Sequence, residues 1–171
     1  MNSDINLVEI SWEGPYDINQ INDLNDSTHY GIYAVYGTHT IFGMNTLLYI
    51  GKAEDRTFGA RLPEHQEEWG LVWHHTDLKF YIGRIGSTLP ITDDNLWSLM
   101  IERAERLMIH YCKPPYNAKD LKNLGGDIKN FTVFNFGKKL NLPAIVSSQW
   151  IESSWWGEGW KEFTNTTLIR N

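Results

Sequence analysis

Residues 31–51, GIYAVYGTHTIFGMNTLLYIG, contain two apolar runs separated by a stretch rich in turn-forming residues. The first run, GIYAVY (31–36), combines aromatic and β-branched side chains and is bounded by Gly31 and Gly37, which predicts a β-strand. The second run, TLLYIG (46–51), predicts another strand. The two strands should therefore form a hairpin with a long loop.

Two weaker patterns follow the hairpin. Residues 59–69 are typical of a helix that carries Pro63 in its first turn, where the missing N–H costs little. Residues 78–83 then alternate between apolar and other side chains, which predicts a third strand. A second Tyr-Ile-Gly tripeptide, at 81–83, falls inside this strand.

The clearest pattern is a helix that begins after Thr92 and Asp93, both candidate N-caps, and ends before Pro114. Its apolar stripe follows helical spacing and comprises Trp97, Met100, Ile101, Ala104, Leu107, Met108 and Tyr111. The element order is then β-β-α-β-α. We expect an α+β fold in which a small three-stranded antiparallel or mixed sheet is flanked by helices.

A length of 171 residues fits one domain. We interpret residues 28–120 as its core and residues 1–27 as an acidic N-terminal extension with at most a short strand at 7–12. Residues 121–171 form a Trp-rich C-terminal extension that should pack on the core or on a partner subunit. A further strand is expected at 131–136.

The net charge of −6 is concentrated at one end of the chain. Residues 1–27 contain six acidic side chains and no Lys or Arg, so the other 144 residues are neutral overall. A total this acidic would argue against a nucleic-acid partner, but its confinement to one segment weakens that objection. The segment is a candidate cover over a binding cleft, where it would restrain non-specific binding.

Two absences bear on location. The only cysteine is Cys112, so no intrachain disulfide forms, as is ordinary in a reducing compartment. The sequence shows no signal-peptide pattern and no apolar run long enough to span a membrane. We expect a cytoplasmic protein with no membrane partner.

Polar residues suited to phosphate chemistry follow the hairpin strands in a definite order. After the tripeptides at 31–33 and 49–51, these residues are Lys52, Arg61, His65, Glu105 and Asn117. The two tripeptides and this order resemble the GIY-YIG nuclease superfamily, named for the same pair of strands. The resemblance covers residues 31–117, about half of the chain.

The resemblance implies a role for several of these residues. Tyr33 would act as the general base or would position the attacking water, with Tyr49, Lys52 and His65 in support. Glu105 would hold one Mg²⁺ or Mn²⁺ ion per active site. Asn117 would be a structural or phosphate-contacting residue.

Physical chemistry supports part of this assignment independently. Phosphodiester hydrolysis needs an activated water, positive charge on the phosphate and stabilisation of the leaving oxygen. Arg61 has the donor geometry to clamp a phosphate, and His65, one helical turn on, shares its face. Glu105 lies at the edge of the apolar stripe, where its carboxylate can enter a cleft. A tyrosine base needs a pKa below 10, and a nearby Lys52 or Arg61 would act in that direction.

Simpler interpretations remain for each residue. Strand tyrosines often only pack across strands. Glu102 is the rival of Glu105, although the twelve-residue step to the Asn of the motif selects Glu105. Arg56 is the rival of Arg61 for the phosphate clamp, and Arg61 could instead form a surface ion pair with Glu64 or Glu68.

We therefore expect a divalent-metal-dependent endonuclease that cleaves double-stranded DNA and needs no small-molecule cofactor. The paired Arg and His and the flanking extensions resemble the restriction-enzyme branch, whose members often act as homodimers. The first alternative is a structure- or lesion-specific repair nuclease, since excision-repair nuclease domains are also similar. The second is a GIY-YIG module that binds nucleic acid without catalysis.

Overall fold

The computed structural model describes residues 7–64, 77–86, 91–122 and 124–149. These residues form one six-stranded mixed sheet in the order β3-β2-β4-β1-β5-β6. The strands are β1 (Leu7–Tyr16), β2 (Gly31–His39), β3 (Gly43–Ala53), β4 (Lys79–Ile85), β5 (Thr132–Gly137) and β6 (Ile145–Ser147). The helices are α1 (Ile18–Ile21), α2 (58–64) and α3 (Asp94–Cys112). The α+β class is confirmed.

The predicted hairpin is present, but its strands are longer than the sequence suggested. Strands β2 and β3 pair antiparallel, with Tyr33 opposite Gly51, and continue to His39 and Gly43. Only residues 40–42 connect them, so the expected long loop is wrong. The pairing register shifts after Val35 and after Gly37, and these irregularities allow the turn-forming residues up to Gly43 to stay paired between the two strands.

Strand β4 confirms the third predicted strand, including its Tyr-Ile-Gly tripeptide. It pairs with β2 on the side opposite β3. The two strands approach closely where Gly31, at a φ of +150°, faces Gly83. A Cβ at Gly31 would collide with the Gly83 carbonyl, so the first glycine of the hairpin sequence is required by this contact.

The expected three-stranded sheet is wrong in its strand number. Strand β1, from the segment interpreted as an extension, lies between β4 and β5, antiparallel to the first and parallel to the second. Trp12 is fully buried, and its indole N–H donates to Asn135 Oδ1 at 2.8 Å. The acidic residues of β1 alternate with apolar ones, and this alternation is the signature of a strand with one buried face. Strand β5 confirms the strand expected at 131–136, and β6 follows it.

Helix α3 has the predicted start and end. Asp93 is the N-cap and accepts from the Leu96 N–H, and Lys113 ends the helix with a left-handed backbone just before Pro114. Its stripe is buried from Met100 to Met108, whereas Tyr111 is exposed. The stripe packs on the face of the sheet that carries Val8, Ile10 and Trp12 of β1.

Among the described residues, the opposite face of the sheet is covered by helices over β2, β3 and β4 only. There Ile21 of α1 and Phe58 and Leu62 of α2 pack against Tyr33 and Val35. Helix α2 begins at residue 58, so Pro63 lies in its second turn rather than its first. No helix in the described ranges has the length and apolar composition needed to cross a membrane.

Candidate active site

A cleft of about 270 Å³ opens at the end of β3, between α2 and α3. Its lining residues are Tyr33, Tyr49, Lys52, Ala53, Glu54, Asp55, Arg56, Arg61 and Glu105. The structure thus brings together five of the seven predicted site residues. Asn117 does not line this cleft, and His65 lies outside the described residues.

The two motif tyrosines form one wall of the cleft. Their ring centroids are 6.1 Å apart and the ring planes differ by 26°. Tyr33 is fully buried at the base of the site. The pair therefore packs together and also lines the cleft, so the packing and functional interpretations are compatible.

The ionisation of Tyr33 is governed mainly by its burial. Burial raises its pKa well above 10, and the neighbouring Tyr49 adds to the effect. The Arg61 guanidinium hydrogen-bonds with the Tyr33 hydroxyl and lowers the pKa, as expected of a cation, but burial outweighs it. The cation thus acts in the predicted direction, and the net pKa shift is nevertheless upward. Tyr33 is a neutral hydroxyl whose oxygen accepts from Arg61 and can accept from a second donor, while its own proton can be donated.

Glu105 projects from α3 into the cleft, where its carboxylate accepts a hydrogen bond from the backbone N–H of Lys52. Burial raises its pKa to about 7, and the Lys52 ammonium partly opposes this shift. Glu102 is exposed and lies 3.8 Å from Arg106 in an i,i+4 ion pair. The geometry therefore places Glu105 in the cleft, and its rival Glu102 on the surface.

Lys52 is held in its charged form. Its Nζ lies 2.6 Å from Glu54 Oε2. Burial lowers the Lys52 pKa, but the Glu54 ion pair and the charge of Glu105 outweigh burial, and the net shift is upward. Lys52 can therefore supply positive charge to the cleft and is poorly suited to accept a proton.

Both candidate arginines line the cleft, and both bind the same carboxylate. Arg61 Nη1 lies 2.8 Å from Glu64 Oε2, and Arg56 pairs with Glu64 Oε1. The surface ion pair considered for Arg61 is therefore present. Arg61 additionally contacts Tyr33, and its side chain is 30% exposed against 51% for Arg56. The arrangement favours Arg61 as the clamp, because it is nearer to the buried tyrosine.

Asn117 is buried and bonds the edge of the sheet. Its Nδ2 donates to the Ile50 carbonyl at 2.8 Å, and its Oδ1 accepts from the Ile50 N–H at 3.0 Å. The preceding Tyr116 N–H donates to the Leu48 carbonyl at 3.0 Å. Because β3 is an edge strand, these bonds satisfy backbone groups that its neighbour β2 cannot reach. Of the two roles implied for Asn117, this geometry favours the structural one.

The outward edge of β3 also explains how Glu105 is oriented. Residues 48, 50 and 52 each have backbone groups that do not pair with β2 and point to the outer edge of the sheet. The Leu48 carbonyl accepts from the Tyr116 N–H, and the N–H and carbonyl of Ile50 bond the Asn117 side chain. The Lys52 N–H is bonded by Glu105. Helix α3 and the residues that follow it, up to Asn117, are therefore held along the outer edge of β3.

Sequence reasoning missed Glu54 and Asp55. Glu54 bonds Lys52 and also the Ser98 hydroxyl on α3, so it links the end of β3 to the helix that carries Glu105. The available signal was spacing, since residues i and i+2 of a strand share a face. Lys52 and Glu54 have this spacing with opposite charges, with Glu54 one residue beyond the end of β3.

The cleft offers a donor set suited to a divalent cation. Mg²⁺ in proteins commonly takes one or two carboxylates and completes its shell with waters. Glu105 is half-buried, and the Lys52 charge only partly offsets the effect of burial on its carboxyl pKa. Glu54 and Asp55 line the same cleft. Within the described ranges, no group of three or more His, Cys, Asp or Glu side chains is arranged to ligate a metal. The residues therefore fit a water-rich site built on one carboxylate.

The acidic N-terminal segment does not cover this cleft in its described part. None of residues 7–27 lines the cleft. Glu13 forms an ion pair with Arg84 at 2.7 Å, and Asp17 caps helix α1. The segment was a candidate cover over the cleft, but strand pairing fixes residues 7–16 within the sheet instead.

Comparison with protein-family models, with curated proteins and with solved structures finds no match to this chain.

Proposed function

We propose that this chain is a divalent-metal-dependent DNA endonuclease of the GIY-YIG superfamily, which hydrolyses phosphodiester bonds in double-stranded DNA. One observation carries the proposal. Tyr33, Arg61 and Glu105, far apart in sequence and from three different elements, line one cleft at the end of the second motif strand. A water positioner, a phosphate clamp and a metal ligand are the three parts that the reaction needs.

In this reaction Arg61 binds the scissile phosphate through its planar fork of donors. Phosphate binding would exchange the Glu64 carboxylate for a phosphate oxygen, which keeps the guanidinium paired. Tyr33 accepts a hydrogen bond from the attacking water and orients it. It acts as a neutral hydroxyl, because burial disfavours the phenolate.

Glu105 would hold the cation at the same cleft. When bound, Mg²⁺ or Mn²⁺ would supply Lewis-acid stabilisation of the leaving oxygen. A cation favours the ionised carboxylate, so its binding is linked to loss of the Glu105 proton near pH 7. Lys52 adds fixed positive charge beside the carboxylate.

Within the superfamily we favour a restriction or defence role over lesion-directed repair. The support is the pairing of Arg61 with His65 in the sequence, which resembles the restriction-enzyme branch. A homodimer with one ion per active site would cut both DNA strands. A cytoplasmic location accords with this role.

The test is cleavage of supercoiled plasmid in Mg²⁺ or Mn²⁺. Glu105→Ala and Arg61→Ala should each lower the nicking rate by roughly 100-fold or more, as loss of a metal ligand or phosphate clamp does. Matched controls are Glu102→Ala, one turn earlier on the same helix, and Arg84→Ala, whose partner is Glu13 in the sheet. Nicking that survives both cleft substitutions would overturn the site assignment.

The second candidate is a nucleic-acid-binding module without catalysis. The observation that favours it is the Arg61–Glu64 ion pair, which occupies the proposed phosphate clamp. This candidate predicts DNA binding that depends on Arg61, with no nicking by the wild type in either metal. Glu64→Ala distinguishes the two, because releasing Arg61 should raise the nicking rate of an enzyme and only the affinity of a module.

A further inference from the structure

In the part of the chain that the structure describes, the outer half of the sheet has one apolar face with no helix over it. Strands β1, β5 and β6 bury Val8, Val133 and Val146 beneath α3. Their other side carries four large apolar side chains that are 36–40% exposed, namely Leu7, Phe134, Phe136 and Ile145. We call these four residues the outer face.

Strand register shows that the outer face is continuous. Phe134 lies opposite Ile145 on β6. Thr132, Phe134 and Phe136 are two residues apart on β5 and so share one side of the strand. Leu7 pairs with Thr132, as Ser11 does with Phe136, and therefore lies on that side too. Paired residues in neighbouring strands project to the same side of a sheet. Over β2, β3 and β4 this side is covered by α1 and α2. A contiguous apolar surface beyond them indicates a docking site.

The same face contains an unsatisfied acceptor. Glu9 pairs in register with Phe134, and its Oε2 is buried without a hydrogen-bond partner in the described part of the chain. A buried carboxylate oxygen without a donor is costly. The occupant should therefore be apolar and should also carry an N–H or O–H group. The acidity of Glu9 and Glu13 on this side argues against a nucleic acid as the occupant.

The chain itself supplies such a segment. Strand β6 borders the outer face, and the described chain ends two residues later at Gln149. The 22 residues that follow, 150–171, contain the side chains Trp150, Trp155, Trp156, Trp160 and Phe163. An extended chain covers roughly 3.3 Å per residue, so a few of these residues are enough to cross the three outer strands. Tryptophan combines a large apolar body with one N–H donor.

We propose that residues 150–171 dock on the outer face of the same chain, where tryptophan rings cover Phe134 and Phe136 and an indole N–H donates to Glu9. This docking completes the covering of the sheet that α1 and α2 begin. It concerns the side of β1, β5 and β6 and does not depend on the nuclease proposal.

A disulfide cross-link tests this placement in the full chain. In a Cys112→Ser background, Phe136→Cys combined with Trp156→Cys should oxidise to a disulfide within one chain. The matched control combines Trp156→Cys with Phe42→Cys, since Phe42 is 66% exposed at the tip of the β2–β3 hairpin. The control should yield less than a tenth of the cross-linked product. A product that is mainly a disulfide-linked dimer would show that a second copy occupies the face, and equal yields from the two pairs would also overturn the proposal.

Proteolysis gives an independent readout. Lys161 is the one tryptic site among residues 150–169, and docking should protect it. Phe134→Asp should raise the rate of cleavage after Lys161 by tenfold or more, whereas Phe42→Asp should leave it unchanged. Equal cleavage rates in the wild type and in Phe134→Asp would contradict docking on this face.

Discussion

The ring of Tyr33 lies across the backbone of Gly51, its partner in the β2–β3 ladder. A Cβ at Gly51 would come within 2.5 Å of the Tyr33 hydroxyl oxygen and 2.7 Å of Tyr49 Cε1. The two tripeptides are thus linked by a contact, since the tyrosine of the first requires the glycine of the second. The same contact sets the depth at which the Tyr33 hydroxyl enters the cleft.

Gly51→Ala should therefore disturb the site more than the fold. The added methyl group displaces both tyrosine rings, and misplacement of about 1 Å at a reacting group lowers a rate by roughly 100-fold. Plasmid nicking measures this loss, and circular dichroism checks that the sheet persists. Gly126→Ala is the control, because a Cβ there meets no atom within 4 Å. Full activity in Gly51→Ala would mean that the position of Tyr33 is not critical.

Tyr33→Phe removes the hydroxyl without changing the ring. If the hydroxyl orients the attacking water, the nicking rate should fall by roughly 100-fold or more. The control is Tyr36→Phe on the same strand, whose hydroxyl donates to Asn141 at 2.7 Å on the other side of the sheet. The rate of Tyr33→Phe should stay low up to pH 10. Equal activity of the two variants would remove Tyr33 from the mechanism.

Glu105 should make stability depend on pH. Its folded-state pKa of about 7 lies above the ordinary value of 4.5, so the folded state binds its proton more tightly than the unfolded state does. The contribution of protonated Glu105 to the free energy of unfolding is fully present below pH 4.5 and is lost as the pH rises to 7 and beyond. Without divalent cations, Glu105→Gln should thus stabilise the protein at pH 8 by on the order of 2 kcal/mol, and little at pH 4.5.

Urea unfolding in EDTA at the two pH values measures this difference. Glu102→Gln, which removes an exposed carboxylate from the same helix, is the matched control and should not reproduce the gain in stability at pH 8. Added Mg²⁺ should stabilise the wild type at pH 8 but not Glu105→Gln. A pH-independent effect of Glu105→Gln would place the carboxylate outside the buried site.

Asn117→Ala should destabilise the edge of the sheet. The substitution leaves the N–H and the carbonyl of Ile50 without their partners, at a cost of about 2–4 kcal/mol in the free energy of unfolding. Asn95→Ala, at an exposed position near the start of α3, should change stability by less than about 0.5 kcal/mol. A large loss of DNA affinity without loss of stability would instead favour the phosphate-contacting role.

The outcome at individual residues shows what local pattern could predict. The hairpin, β4, β5 and α3 were predicted because each carries a strong periodicity or a clear stop, such as Pro114. Strand β1 was undervalued because its acidic residues suggested an extension, although they occupy alternate positions. Its place between β4 and β5 depends on pairing with residues more than 60 positions away, which no local pattern encodes.

The sequence by itself determined the α+β class and which polar residues follow the hairpin, because spacing and residue type are local properties. Only the tertiary structure decided the six-stranded order and the engagement of Asn117 with Ile50. It also decided that burial outweighs the nearby cation and raises the pKa of Tyr33. Each of these outcomes depends on desolvation and on partners brought together by folding, and neither is a property of a single stretch of chain.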